Sequence, residues 1–314
     1  MIVIIALLLG GVFGWVVGTN DMGYILGPVV GSGLMPWKRI GMLSSLFLLV
    51  GAVLGGVKGL ENVIALDFSN DAHYMAFYLS SIFVMVTLNS LGLPTPASQT
   101  VVGSIIGLAA ASSGFRPENV FRFSMVFLSW YTTPFATMLL GYFLYKLLSH
   151  YMKRLRSVQH QETLLSVLAS IGVAYGSYSF GANNVANVTG ILVGNCLDTK
   201  GAAVLGGISI ALGVLCCGKR SAIRVGKGIL ELDHLASLVS IFSQAITVWF
   251  FSIVGVPVSS SQAVIGGILG VGHARGMKLE SRKVLFKVLG SWFLVPIVSG
   301  LLSFISMKIL IRFW

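Results

Sequence analysis

Residues 18–21 read Gly-Thr-Asn-Asp, and residues 181–184, which lie 163 positions later, read Gly-Ala-Asn-Asn. A second pair of segments keeps the same separation: Leu-Pro-Thr-Pro-Ala-Ser-Gln at residues 93–99 and Val-Pro-Val-Ser-Ser-Ser-Gln at residues 256–262. One spacing kept at two places so far apart indicates that the chain contains two copies of one unit. Polar segments with Gly or Pro at matching places of duplicated apolar halves are where broken-helix binding sites of membrane proteins lie.

The composition places the chain in a membrane. Of all residues 55% are hydrophobic and only 10% are charged, whereas soluble domains carry about 25% charged residues. About ten apolar segments follow one another with little hydrophilic chain between them. Residues 1–17 carry no charge, so we interpret them as the first membrane segment and not as a signal peptide, which begins with basic residues.

The positive charges indicate the orientation of the chain. The formal net charge is +11, and the basic residues are concentrated in alternate connections between the apolar segments. Of the 21 lysines and arginines, 15 fall on one face of the predicted bundle, and the positive-inside rule makes this face cytoplasmic. Both termini are then predicted outside the cytoplasm, in a multi-pass protein of the cell membrane. The basic charge is thus a topology signal, with the lipid bilayer and not nucleic acid as the predicted partner.

The repeat and the topology together predict the fold class. We expect an all-α polytopic membrane protein in which residues 1–145 form a first repeat and residues 161–314 form a second. A basic cytoplasmic linker at residues 146–160 is predicted to join them. Each repeat holds about five segments, and an odd number gives the second repeat the opposite orientation to the first. The sequence therefore predicts two inverted-topology repeats.

The polar segments predict two kinds of helix break near the membrane midplane. At residues 18–21 and 181–184, glycine and asparagine are predicted to interrupt a helix. At residues 94–96 and 257–259, proline is predicted to end one segment, and small polar residues are predicted to start a half-helix. The apolar run after each proline segment has only about 15 residues, which is short for a full crossing.

The starts of the half-helices are the predicted anion site. The first turn of a helix exposes unpaired N–H groups and the positive end of the dipole, which bind an oxyanion without a cationic side chain. No lysine or arginine lies within the four polar segments. The predicted anion ligands are hydroxyl and amide side chains of both repeats: Thr95, Ser98, Gln99, Ser259, Ser260, Ser261 and Gln262. The alternative is that these side chains only cap the two helices.

Asp21 is the centre of the predicted cation site. It is the one carboxylate that lies inside an apolar segment, and a carboxylate in the membrane needs a partner. A Na⁺ ion held by carboxylate, amide and carbonyl oxygens would serve, and so would a proton that neutralises Asp21. The alternative is a carboxylate that only caps a helix. The predicted cation-binding residues are Asn20, Asp21, Asn183, Asn184 and Asn187, with Asp21, Asn20 and Asn183 as Na⁺ ligands.

Other residue types point to no further chemistry. Trp130 and Trp292, which are 162 residues apart in the two repeats, are interpreted as packing or interfacial residues. The three cysteines show no metal-ligand spacing. The polar segments contain neither a nucleophile–base pair nor a metal cluster, so the sequence does not predict an enzyme, and no cofactor is predicted.

The repeated motifs resemble those of the inorganic phosphate transporter family, the sodium- or proton-coupled symporters called PiT. The family signature Gly-Ala-Asn-Asp-Val-Ala-Asn is similar to residues 18–24 and 181–187. The family segment Pro-Val-Ser-Thr-Thr-His is similar to residues 257–262 and, more loosely, to residues 94–99. The resemblance covers nearly the whole chain. It implies a symporter whose Asn/Asp segments hold the coupling cations and whose hydroxyl-rich helix starts hold phosphate, and it suggests a homodimer.

The chain departs from this family pattern at several positions. Asn184 stands where the family has Asp, and Gln99 and Gln262 stand where a His is common. The missing carboxylate removes negative charge for sodium and an acceptor for the proton of hydrogen phosphate, whereas sulfate has no such proton. The sequence therefore predicts phosphate import by Na⁺ or H⁺ symport with alternating access. Sulfate or another oxyanion is the alternative substrate, and a passive anion channel is the alternative mechanism.

Overall fold

The structure is a computed structural model that describes residues 2–64, 71–91, 93, 95–112, 117–226, 232–277 and 282–313. The described residues form eleven α-helices and one 3₁₀ helix, Gly190–Leu192. The helices of the N-terminal half are α1 (Ile2–Gly31), α2 (Trp37–Gly55), α3 (Val57–Ile64), α4 (Asp71–Ser90), α5 (Ala97–Ser112) and α6 (Pro117–Met152). Those of the C-terminal half are α7 (Val158–Thr189), α8 (Thr199–Gly226), α9 (His234–Val254), α10 (Ser260–Ala274) and α11 (Arg282–Phe313).

These helices confirm the predicted all-α membrane fold. Eight of them are long and apolar enough to cross a membrane: α1, α2, α4, α6, α7, α8, α9 and α11. By contrast, α5 and α10 have only 16 and 15 residues, as predicted for the half-helices after the Pro-containing segments. The order of long and short helices is the same in both halves, with the short α3 as an addition in the first half.

The interruptions that the sequence predicts at residues 18–21 and 181–184 are wrong. Helix α1 continues through the first motif to Gly31, and α7 continues through the second motif to Thr189. The asparagine and aspartate side chains of the motifs therefore project from intact helical turns. The backbone carbonyls and N–H groups of these turns stay paired within the helix, as a membrane interior requires.

The glycines of the two motifs serve close packing between helices. Gly18 of α1 lies against the backbone carbonyl of Ile210 in α8, and Gly181 of α7 lies against that of Leu48 in α2. A Cβ at either glycine would collide with the carbonyl oxygen. Small residues at such contacts let two membrane helices approach closely. The sequence pattern that indicated a helix break is thus a packing pattern, which is why the prediction failed.

Replacing Gly18 with alanine is expected to destabilise the fold. Alanine normally stabilises a helix relative to glycine by about 0.5–1 kcal/mol, but here the added methyl group has to push α1 away from α8. Overpacking of this kind costs about 1–3 kcal/mol, which thermal unfolding of the detergent-solubilised protein measures as a lower Tm. Gly11→Ala is the matched control on the same helix, because no atom lies within 4 Å of a Cβ at Gly11. A Tm of Gly18→Ala at or above that of the control would contradict this packing role.

Helices α4 and α5 form an antiparallel hairpin, and so do α9 and α10. In the first hairpin, Nε2 of His73 near the start of α4 lies 2.9 Å from Oγ of Ser112 at the end of α5. In the second, the guanidinium group of Arg275 lies 3.0 Å from the carboxylate of Asp233. Each hairpin therefore returns to the side from which it started. A hairpin that returns to its starting side leaves the next connection on the same side as two full crossings would. The predicted orientation of the termini therefore stays a prediction.

The equivalent first helices of the two halves run in opposite directions. Gly10 of α1 lies against the side chain of Leu192, and Gly14 lies against that of Val188 in α7, so the residue numbers fall along α7 as they rise along α1. Opposite directions of equivalent helices are what an inverted repeat requires. The halves also interlock, because α5 packs on α11 of the other half and α10 packs on α6.

The connection between the halves is shorter than the predicted linker at residues 146–160. Helix α6 extends to Met152 and α7 begins at Val158, so only residues 153–157 lie outside helices. Ser157 caps α7 by accepting a hydrogen bond from the backbone N–H of His160 (3.4 Å). The division of the chain into repeats at this connection stays a prediction.

Candidate functional site

Asn20 and Asp21 lie in α1 beside the start of α5. Asp21 Oδ2 accepts a hydrogen bond from the backbone N–H of Ala97 (3.0 Å), and Asp21 Oδ1 accepts one from Asn20 Nδ2 (2.9 Å). Asn20 Nδ2 also donates to the carbonyl oxygen of Thr95 (2.9 Å), whose hydroxyl group donates to the carbonyl of Leu93 (3.0 Å). The two side chains thus attach the tip of the first hairpin to α1, and Asp21 caps α5.

The second motif makes the equivalent contacts with the start of α10. Asn183 Nδ2 donates to the carbonyl oxygen of Val258 (2.8 Å), and Asn183 Oδ1 accepts from the backbone N–H of the same residue (3.2 Å). Asn184 Nδ2 donates to Oγ of Ser260 (3.1 Å). Each partner lies 163 positions after its counterpart in the first half. The sequence repeat is therefore also a repeat of hydrogen bonds between a long helix and a hairpin tip.

The two contacts differ in charge. Whereas a carboxylate caps α5, the hydroxyl group of Ser259 caps α10 by accepting from the backbone N–H of Gln262 (3.3 Å). Asn184 is satisfied within its own helix, because Nδ2 also donates to the carbonyl of Phe180 (3.2 Å) and Oδ1 accepts from Asn187 Nδ2 (3.1 Å). The start of α5 thus faces a carboxylate, and the start of α10 faces neutral amides.

The predicted site residues are all buried and lie on, or one or two residues before, four helices that meet. Helix α5 contacts α7 as well as its own half, and α10 contacts α1. The structure therefore brings the predicted cation set and the predicted anion set together, in an arrangement that is closed to solvent. At most 4% of each residue is exposed: Asn20, Asp21, Thr95, Ser98, Gln99, Asn183, Asn184, Asn187, Ser259, Ser260, Ser261 and Gln262.

Part of the predicted anion set has capping or local partners, and part has none. Ser259 caps α10, and its Oγ lies 3.1 Å from Oγ of Ser261. In contrast, Oγ of Ser98, both amide atoms of Gln99 and Oε1 of Gln262 are buried without a hydrogen-bond partner in the described part of the chain. Buried polar atoms are nearly always paired. The capping alternative therefore accounts for Ser259 and leaves Ser98 and the two glutamines unexplained.

Gln99 and Gln262 line one cavity of about 780 Å³ between α5, α6, α10 and α11. The rest of the lining is mainly apolar and aromatic and includes Trp130 and Trp292, whose buried Nε1 atoms have no hydrogen-bond partner among the described residues. That these four residues share a cavity was not predicted from the sequence. Their spacing of 162 or 163 residues could have indicated this. Equivalent residues of two repeats lie close together when both are near the symmetry axis that relates the repeats.

A third buried amide was also missed. Gln244 in the middle of α9 is fully buried, and neither its Oε1 nor its Nε2 has a partner among the residues that the structure describes. Its Oε1 lies close to Gly176 of α7. A glutamine inside an apolar membrane segment was the available signal, since polar side chains at this depth are costly and are commonly functional.

Asp21 retains the capacity to bind a cation or a proton. Each carboxylate oxygen can accept two hydrogen bonds and accepts one here, and no described lysine or arginine pairs with this carboxylate. Within the described ranges, no group of three or more His, Cys, Asp or Glu side chains is arranged so that it could hold a metal ion. A Na⁺ ion at this place would therefore depend on Asp21 together with amide and backbone carbonyl oxygens.

Two hairpins whose tips meet polar motifs in long, oppositely directed membrane helices form the kind of arrangement in which membrane transporters hold their substrates. The chain matches the model of the phosphate transporter family over residues 17–303, and it belongs to this family. The family resemblance that the motifs indicate is thereby confirmed.

Proteins similar to this chain are named as permeases. One from Pyrococcus abyssi, named "Putative phosphate permease PYRAB14010", is 25% identical over 98% of this chain and 97% of its own length. The sulfate permease CysP of Bacillus subtilis is 26% identical over 98% of this chain and 88% of its own length. A solved structure named "The sodium-dependent phosphate transporter" has the same fold, with a TM-score of 0.90 and 21% identity over 100% of both chains.

Proposed function

We propose that this chain imports inorganic phosphate across the cell membrane by symport with Na⁺ or H⁺ and alternating access. The cation binds at Asp21, and the anion binds at the first turn of α10. Membership of the phosphate transporter family supports phosphate as the substrate. The name of the structural neighbour supports Na⁺ as the coupling ion.

The observation that carries this proposal is the buried carboxylate of Asp21. It is 2% exposed, and an isolated charge in a membrane interior costs several kcal/mol. The N–H of Ala97 and the amide of Asn20 stabilise the carboxylate by hydrogen bonds but do not neutralise it. A bound cation or proton supplies the missing positive charge, so the closed site is most stable when the coupling ion is present.

The start of α10 suits an oxyanion better than the start of α5. Asp21 occupies the first N–H group of α5, and its negative charge repels an anion there. Helix α10 begins with three serine hydroxyls at residues 259–261 and faces Asn184, which is neutral. Although the hydroxyl group of Ser259 caps one N–H group there, no described carboxylate neutralises the positive end of the α10 dipole, which can therefore attract an anion. Gln99 of the other half lines the same cavity as Gln262 in the first turn of α10. Its amide group has no partner among the described residues and is therefore a further candidate ligand for the anion.

The hairpin tips link the two ions. The bond of Asp21 to Ala97 joins α1 to the first hairpin, and the bond of Asn184 to Ser260 joins α7 to the second. When cation and anion are both bound, their charges and that of Asp21 partly cancel, which lowers the desolvation cost of the closed site. When the anion enters without the cation, its negative charge is buried together with that of Asp21, which disfavours closure. Rocking of the hairpins about this site then moves both ions together.

Sulfate is the second candidate substrate. Hydrogen phosphate carries a proton that needs an acceptor, whereas sulfate needs only donors. Asn184 is neutral, so the start of α10 has no carboxylate at this position that could accept this proton. The amide atoms of Asn184 are already hydrogen-bonded to Phe180, Ser260 and Asn187. The similarity to the sulfate permease of Bacillus subtilis supports this alternative.

Uptake by proteoliposomes tests the proposed function. Radiolabelled phosphate and radiolabelled sulfate are supplied separately, each with an inward Na⁺ gradient alone or an inward proton gradient alone. We expect one anion to accumulate above its equilibrium level with one of the gradients, and to show saturable counterflow when the vesicles are preloaded with the unlabelled anion. Flux that only equilibrates, without counterflow, would identify an anion channel and would refute the proposed symport.

A further inference from the structure

The first hairpin is sealed against α1 by aromatic rings. Phe13 of α1 packs on Phe77 and Tyr78 of α4, with ring centroids 6.1 and 6.0 Å apart, and the rings of Phe77 and Tyr78 are 5.0 Å apart. All three residues are at most 1% exposed. The hydroxyl group of Tyr78 donates to the carbonyl of Val188 (2.8 Å). We call Phe13, Phe77 and Tyr78 the aromatic seam, which fills the space between α1 and α4.

The equivalent positions of the second half carry no aromatic ring. Addition of 163 to the three residue numbers gives Gly176 of α7 and Ser240 and Ile241 of α9. Gly176 lies against Ile241 and against the amide oxygen of Gln244. The same contact between a long helix and a hairpin is therefore closed by three rings in one half and by small or aliphatic residues in the other.

Three buried polar side chains lie on the two helices of this second contact, and we call them the polar seam: Ser177 of α7, and Ser237 and Gln244 of α9. Gln244 lies at the contact itself, because its amide oxygen lies against Gly176. All three are fully buried. Their four side-chain polar atoms have no hydrogen-bond partner among the described residues. Ser237 and Gln244 are seven residues apart and therefore lie on the same face of α9. Since buried polar atoms are nearly always paired, four unpaired atoms on two helices that pack together indicate a polar occupant.

The polar seam lies between the buried site and the face that is predicted to be cytoplasmic. Helix α9 follows α7 toward Asn183, which binds Val258 at the hairpin tip. The other end of this hairpin is its open end, where Asp233 pairs with Arg275. The aromatic seam lies between the site and the opposite face, because Phe13 precedes the first motif in α1 and the two halves run in opposite directions.

We propose that the polar seam is the release route of the transported oxyanion, phosphate or sulfate, toward the predicted cytoplasmic face. This inference rests on the proposed function. The amide Nε2 of Gln244 and the hydroxyls of Ser177 and Ser237 are the donors that the anion contacts along this route. Neutral donors hold an anion weakly enough to release it, which a pathway requires. The aromatic seam blocks the equivalent route to the opposite face.

Thiol accessibility tests the two seams without depending on transport. The native cysteines are first replaced by serine. A single cysteine is then introduced, either as Ser237→Cys in the polar seam or as Ser81→Cys in the first hairpin. Ser81 is the position equivalent to Gln244 in the other half. A membrane-impermeant methanethiosulfonate is added to oriented vesicles from either face. We expect Ser237→Cys to react from the cytoplasmic face, and about tenfold more slowly when phosphate or sulfate is present at about ten times its Kd. Ser81→Cys is expected to react from neither face.

Two labelling results would overturn the inference. One is a Ser237→Cys protein that does not react from the cytoplasmic face although it reacts fully after denaturation in sodium dodecyl sulfate. The other is a Ser81→Cys protein that reacts from the opposite face as fast as Ser237→Cys does from its own. Labelling decides the route even if wild-type vesicles show no uptake, so failure of the proposed function and failure of the route are distinguishable.

A transport variant gives an independent test. Gln244→Leu keeps a similar volume and removes both the donor and the acceptor, so the maximal uptake rate is expected to fall about tenfold, the effect of one lost hydrogen bond. The half-saturation concentration of the external cation should stay the same, because Asp21 is untouched. Ser243→Ala on the same helix is the matched control, since its hydroxyl group is bonded to the carbonyl of Ser240 (3.0 Å). A wild-type rate for Gln244→Leu would overturn the role of this side chain.

Discussion

Asp21→Asn is expected to reduce cation-driven uptake of the oxyanion to the level of liposomes without protein. Asparagine keeps an oxygen that can cap α5 through the N–H of Ala97, so the fold should be retained while the charge is lost. Without that negative charge, the site lacks the group that binds Na⁺ or a proton. The measurement is initial uptake of radiolabelled phosphate and sulfate under each ion gradient. A decrease of less than about tenfold would correspond to less than about 1.4 kcal/mol and would contradict a central role for this carboxylate.

A second measurement separates loss of cation binding from loss of fold. A cation that binds the folded wild-type protein raises its Tm as the cation concentration rises, by mass action, and Asp21→Asn should abolish this increase. Asp198→Asn is the matched control, because Asp198 is an exposed carboxylate that also caps a helix, through the backbone N–H of Gly201 (3.0 Å). We expect this control to retain wild-type uptake. An equal loss in both variants would show that the effect arises from a lost helix cap.

Asn184→Asp is expected to weaken anion binding and to make uptake depend more steeply on the cation. Aspartate cannot donate to the carbonyl of Phe180 or to Ser260, as the amide does, and it adds a negative charge at the start of α10. Two like charges about 5 Å apart repel by about 3 kcal/mol at an effective dielectric constant of about 20. The half-saturation concentration of the anion should therefore rise at least about tenfold at low cation concentration.

High cation concentration should partly rescue Asn184→Asp, because a second cation can neutralise the second carboxylate. The Hill coefficient for the cation is then expected to rise above that of the wild type. Gln159→Glu, which adds the same charge at an exposed position, is the control for net charge and should behave as the wild type. An unchanged half-saturation concentration for the anion in Asn184→Asp would mean that the anion does not bind near the first turn of α10.

The sequence predicted which polar segments belong together, but it did not predict the contacts between them. The spacing of 163 residues identified the segments whose residues meet, and Asn20 with Thr95 and Asn183 with Val258 are the resulting pairs. The difference between the two pairs of contacts depends on where the side chains lie in the folded protein. That Asp21 would cap α5, while Asn184 would be satisfied by its neighbours, follows from side-chain positions that spacing alone does not specify.

Gly18 shows why the predicted helix breaks failed. Glycine and asparagine favour a break when the backbone is exposed to water or to a ligand. Next to Ile210 the same glycine allows α1 and α8 to approach within contact of their backbones. The choice between these two roles depends on the surface that faces the glycine, which lies almost two hundred residues away in the chain.

The sequence by itself determined that this protein is an all-α membrane protein with a duplicated pair of polar motifs and two short helices, because hydropathy, charge and repeat spacing depend on the order of residues. Only the tertiary structure decided that the long helices are continuous, that Asp21 caps α5, and that one seam is aromatic while the other is polar. The physical reason is that these features are contacts between distant segments. Phe13 and Gly176 acquire their different roles from the hairpin side chains packed against them.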